Sequence, residues 1–83
     1  EFLLTQMAWR EQVVDARADK DLVALQTVET DVGDAIRTVY AELGSLLDSG
    51  SENAAAVEAV RELMFLAKLR EEIDNAIFDL EDI

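Results

Sequence analysis

A chain of 83 residues without cysteine or proline has room for one small domain, stabilised by an apolar core and by no disulfide. Its 19 acidic against 7 basic residues leave a net charge of −12, which excludes nucleic acid and disfavours anionic membranes as partners, since phosphate surfaces call for Lys/Arg clusters. Histidine and cysteine are both absent, so the common nucleophile–base pairs, thiolate catalysis and nitrogen-ligated metal sites are excluded as well.

No apolar run approaches the ~18 residues of a membrane span, and the first residues carry neither a basic start nor a small-residue cleavage site. A soluble protein in a reducing, intracellular setting is expected. Helix formers dominate, and there is neither sustained alternation nor an Asn-Gly or Asp-Gly hairpin turn, so the fold class is all-α. The first helix is predicted over residues 2–17, with Phe2, Trp9, Val13 and Ala16 on one stripe. A reversal follows, for which Asp19 or Asp21 is the candidate N-cap.

The second helix is predicted over residues 22–47, with Leu25, Val28, Val32, Ile36, Val39, Leu43 and Leu46 as its buried face. Gly33 lies inside it, at a close helix crossing or as a tolerated surface defect, and tolerance is the preferred reading. The stretch 48–53 is the clearest break: Gly50 suits a positive φ after a helix end, and Ser51 or Asn53 suits the next cap. The third helix is predicted over residues 54–80, on a stripe of Val57, Val60, Leu63, Leu66, Leu69 or Arg70, Ile73, Ile77 and Leu80. The two later helices would each be ~40 Å long and antiparallel, whereas the first, at ~24 Å, covers only part of them. The expected fold is a single three-helix module over residues 1–83, one short helix plus a long antiparallel pair, forming an elongated or partial bundle.

Carboxylates are plentiful near the end of the chain, at Glu71, Glu72, Asp74, Asp79, Glu81 and Asp82, and read as a solvated face. The Glu-x-x-His motif of di-iron helical bundles cannot form without histidine. Residues 69–74, LREEID, resemble the opening helix of small helical chorismate mutases, but that fold needs a further long helix carrying Arg and Lys, and only residues 75–83 follow. Arg70 reads instead as a surface ion-pair residue. No catalytic residue, cofactor site or metal site is therefore expected.

More informative are apolar residues that the core stripes do not need. Leu3 and Met7 begin a line that continues to Glu11 and Asp15, about 100° from the Phe2–Trp9–Val13 stripe; Leu4 and Ala8 widen it. On the third helix Phe65 stands one position ahead of Leu66, turned toward a flank. With the first helix near the middle of the third, Leu3, Met7 and Phe65 form one exposed patch, of the kind that marks a partner. The alternative is that they fill the core beneath a short helix.

Two stretches resemble signatures of the HscB family, J-type co-chaperones of iron–sulfur cluster assembly. Residues 2–11, FLLTQMAWRE, are similar to that family's F-L-M-x-Q-L-x-L-R-E-E run, and residues 60–69, VRELMFLAKL, to its V-R-K-L-x-F-L-x-K-L run. The resemblance implies a C-terminal cargo domain that binds the scaffold protein IscU and delivers it to a DnaK-type chaperone, HscA, with a cluster belonging to the partner. It also implies that the J domain contacting HscA is missing, since no His-Pro-Asp motif is possible here, so the chain is expected to be a fragment or separately made domain. The family's scaffold-binding positions fall on Leu3, Leu4, Met7, Glu11, Asp15 and Phe65. Ala8 stands where the family often has an acid, and Asp15 replaces a longer Glu. The implied setting is the bacterial cytoplasm, or the mitochondrial matrix in a eukaryote, and the implied state is a monomer. The rival reading is a generic helical interaction or dimerisation module.

Overall fold

The computed structural model describes residues 2–48, 50 and 53–81, the side chain of Asn53 excepted. They form three helices: α1 (Phe2–Asp19), α2 (Leu22–Asp48) and α3 (Asn53–Glu81), of 18, 27 and 29 residues. The expectation of an all-α three-helix module holds. Two reversals make α1 and α3 parallel to each other and antiparallel to α2, in a body of 49 × 22 × 15 Å.

The first reversal takes two residues. Lys20 adopts φ 55°, its N–H donates to the Arg17 carbonyl at 3.3 Å, and the Asp21 N–H donates to the Ala16 carbonyl at 2.8 Å. This pair of bonds closes a helix through a left-handed residue, and it satisfies carbonyls that would otherwise lack partners. Asp21 then caps α2: its Oδ1 accepts from the Ala24 N–H at 3.1 Å. Of the two candidate caps it is Asp21 that acts, because α1 continues through Asp19. At the second reversal Gly50 has φ 68° and donates its N–H to the Leu47 carbonyl at 3.3 Å. Of the two caps expected after it, Ser51 lies outside the described residues and Asn53 already opens α3.

The core lies where all three helices meet. Leu25 and Val32 of α2 and Leu66, Leu69 and Ile73 of α3 are fully buried, each contributing ~1.5–3 kcal/mol through the removal of apolar surface from water. Val13 and Ala16 complete this core from α1, with Phe2 and Trp9 packed at its margin. Gln6 also belongs to this face, buried between Phe2 and Trp9 in the heptad-like steps of the stripe. Its polarity hides it from a reading based on apolar spacing alone. Gly33 is buried, not at the surface as the preferred reading had it. No helix backbone crowds it, however: an added Cβ would meet only the Arg37 Nη1 at 3.9 Å.

The α3 stripe needs correction over its first half. Val57 and Val60 are 54% and 43% exposed, while Ala59 is buried and Ala56 half-buried. Successive steps of three turn back by about 60° each, so Val57 stands about 120° from Leu69 and cannot share its face. The true face runs through Ala56, Ala59, Leu63, Leu66, Leu69 and Ile73, and alanine, too small to dominate an apolar pattern, carries its beginning. Between the two candidates at the middle of the stripe, Leu69 is buried and Arg70 exposed.

Candidate functional site

Two ion pairs join α1 to α3. The Arg10 Nη1 donates to Glu72 Oε1 at 2.7 Å, and the Arg17 Nη2 donates to Asp79 Oδ2 at 2.5 Å. Both pairs join residues 62 positions apart, as parallel helices in constant register require. Residues seven apart drift by only about 20° around a helix, so Leu3, Arg10 and Arg17 form one line on α1, and Phe65, Glu72 and Asp79 form one line on α3. One heptad before the first ion pair, the same register sets Leu3 level with Phe65 on the facing lines. Glu72 and Asp79 are therefore paired with α1 as well as solvated. Glu71, Asp74 and Glu81 are exposed, and Asp82 lies outside the described residues.

The residues singled out from spacing are at the surface and do not fill the core. Leu3 is 65%, Leu4 66%, Met7 57% and Phe65 46% exposed; Glu11, Asp15 and Ala8 are exposed too. They do not form one straight line. Each step of four advances about 40° around a helix, so the path from Leu3 to Asp15 turns through about 120°. Leu3 stands on the α3 flank, Met7 and Glu11 on the outward face, and Asp15 on the α2 flank, where it lines a recess with Gln12, Asp19, Asp21 and Thr27. Leu3, Met7 and Phe65 thus share one side of the molecule, with Leu4 and Glu11 along its outer edge and Asp15 around the corner.

The apolar surface is larger than that spacing suggested. Phe65, Met64, Val60 and Val57 line a shallow groove of about 470 Å³ on the outer side of α3, flanked by Arg61 and Lys68. Val57 and Val60 also border a recess with Leu43, Leu47 and Ala56 where the α2–α3 pair projects beyond α1. No described residue of α1 stands beside these side chains. The signal for them was in the sequence: residues 57, 60, 64 and 68 follow steps of three and four on a face separate from that of Ala59 and Leu66.

Among the described residues no group of three His, Cys, Asp or Glu side chains stands close enough to hold a metal ion. Among the described residues no helix is long and apolar enough to cross a membrane. Glu29 of α2 and Asp74 of α3 meet across the pair, and hydrogen bonding to the Asp74 carboxyl, then burial, raise the Glu29 carboxyl above its ordinary value. The arrangement offers an exposed apolar surface bordered by charged side chains.

The family model described as the HSCB C-terminal oligomerisation domain matches residues 1–74. The chain belongs to the HscB family. It is 47% identical over 81 residues to the co-chaperone protein HscB homolog of Paraburkholderia xenovorans (strain LB400), covering 98% of this chain and 46% of that protein. It is 48% identical over 80 residues to the HscB homolog of Burkholderia thailandensis, covering 96% of this chain and 45% of that protein. The HscB-family chain described here thus spans about half the length of the curated relatives that it matches. No solved structure matches it.

Proposed function

We propose that this HscB-family chain is a non-catalytic cargo-binding domain that takes an IscU-type iron–sulfur scaffold protein for delivery to an HscA-type, DnaK-like chaperone in the bacterial cytoplasm. The observation that carries the reading is the exposed Leu3, Met7 and Phe65 surface, held on one side of the molecule by the α1–α3 register. Leu3, Leu4, Met7 and Phe65 are the apolar anchor, an aromatic ring with flexible aliphatics, and each contributes ~1–3 kcal/mol on truncation. Glu11 and Asp15 guide the approach of a basic scaffold surface and act chiefly on the association rate. The chain binds no cluster; the cluster travels with the scaffold. Contact with HscA belongs to the half of the relatives that this chain does not span.

The test is calorimetric titration of the chain with the scaffold protein, beside a Leu3→Ala, Met7→Ala, Phe65→Ala triple variant of unchanged helicity. Saturable heat with the parent and none with the variant is the expected result. Equal binding by both would remove the site, and no binding by the parent would remove the function.

Self-association is a second reading, supported by the word oligomerisation in the description of the matching family and by the bare Leu47, Val57 and Val60 at the end of the α2–α3 pair. We expect a monomer, since copies carrying −12 each repel one another. Sedimentation equilibrium across salt concentrations separates the two.

A further inference from the structure

We infer that the scaffold-binding surface has two ends of opposite charge, and that the scaffold segment lying on it reaches past Phe65 onto the outer face of α3, where Arg61 and Lys68 receive its carboxylates. The inference rests on the proposed cargo reading and adds the polarity of the cargo. Arg61 and Lys68 are two of the seven basic residues in a chain of net charge −12, and both line the same apolar groove as Val57, Val60, Met64 and Phe65. Both are exposed. The ion pairs among the described residues use Arg10, Arg17 and Arg37 and leave these two out.

Their position is continuous with the proposed site. Lys68 lies one turn after Phe65 and Arg61 one turn before it, so both flank the ring that stands level with Leu3. Going from α1 to α3 the surface reads Leu4 and Glu11, then Met7 and Leu3, then Phe65, then Arg61 and Lys68, with Val57, Met64 and Val60 beyond them. A matching segment presents basic residues beside Glu11 on α1, apolar side chains to Met7, Leu3 and Phe65, and acidic residues to Arg61 and Lys68 just past Phe65 on α3. Elsewhere the acidic surface repels such carboxylates, so the two cations fix the direction in which the segment lies as well as adding attraction.

The test uses the whole chain and the scaffold protein. Arg61→Glu, Lys68→Glu is titrated beside the parent, an Arg61→Lys control and the Leu3, Met7, Phe65 triple alanine variant, at low and at moderate salt. A photo-crosslinking residue replaces Met64 in a parallel experiment. The expected result is about tenfold weaker scaffold binding for the charge reversal at low salt, a smaller difference at moderate salt, near-parental binding by the Arg61→Lys control, and a crosslink from position 64 to the scaffold. If the parent binds, the triple variant does not, and the charge reversal binds like the parent, the basic end is wrong while the cargo reading survives. If the parent does not bind at all, both fall. If position 64 crosslinks to a second copy of the chain and not to the scaffold, the occupant of this face is the chain itself and the inference is overturned.

Discussion

Arg10 of α1 donates to Glu72 of α3 at 2.7 Å, and one heptad earlier the same register sets Leu3 beside the level of Phe65. The pair is half-exposed, with side-chain accessibilities of 37% and 41%, so its direct contribution is about 0.2–1 kcal/mol. A double-mutant cycle of Arg10→Ala and Glu72→Ala in urea denaturation should return a coupling in that range, and the swap Arg10→Glu, Glu72→Arg should recover part of it. On the proposed cargo reading its larger effect should be on the site: Glu72→Ala should loosen α1 and weaken scaffold binding without touching any residue of the patch. Unchanged affinity would mean that the apolar core alone sets the register.

Gly33 and Gly44 both sit inside α2, and neither backbone needs its glycine: an added Cβ meets only the end of Arg37 at 3.9 Å in one case and nothing within 4 Å in the other. Gly33→Ala and Gly44→Ala should each stabilise the protein by about 0.5–1 kcal/mol, through helix propensity and a smaller loss of chain entropy. Gly50, at φ 68°, should do the reverse, losing about 1 kcal/mol on conversion to alanine. Thermal melts of the three variants give the signs directly.

Leu66 is fully buried and Leu4 is 66% exposed, one helix apart and chemically identical. Leu66→Ala should cost about 2–5 kcal/mol, enough to unfold much of the population of so small a domain. Leu4→Ala should fall within about 0.5 kcal/mol of the parent in stability while weakening scaffold binding. Chemical denaturation and titration of the two variants separate the roles of core and surface.

Glu29 has its carboxyl raised above the ordinary 4.5, first by hydrogen bonding to Asp74, then by burial and by the Asp74 charge, with Arg70 opposing. Above that raised value the ionised Glu29 opposes folding, because the folded state holds its proton more tightly than the unfolded one. The opposition fades as pH falls through the raised value and is gone below 4.5. Glu29→Gln should therefore raise Tm at pH 7 and lose that advantage at pH below 4.5. An advantage that persists at low pH would place its cause outside ionisation.

Asp21 caps α2 through the 3.1 Å bond from the Ala24 N–H. Asp21→Ala should cost about 1 kcal/mol, and Asp21→Asn should retain most of it, since either oxygen can accept the bond. Denaturation midpoints of the two variants check the order.

Much of this protein is determined by its sequence taken alone. Helix formers in steps of three and four, a capping Asp21 and a Gly50 suited to positive φ specify three helices and two reversals, because those preferences are local and act within a turn of the chain. The buried face of α2, from Leu25 to Leu43, is legible for the same reason: large apolar residues recur without interruption. Leu3, Leu4, Met7 and Phe65 stand out as apolar residues beyond what the stripes require. Only the tertiary structure decided which valines of α3 are bare, that Gln6 is buried, and that Glu72 and Asp79 pair with arginines of α1. Those outcomes depend on how one helix lies against another. The register of α1 on α3 brings together side chains 62 residues apart. Local periodicity cannot contain a relation of that length.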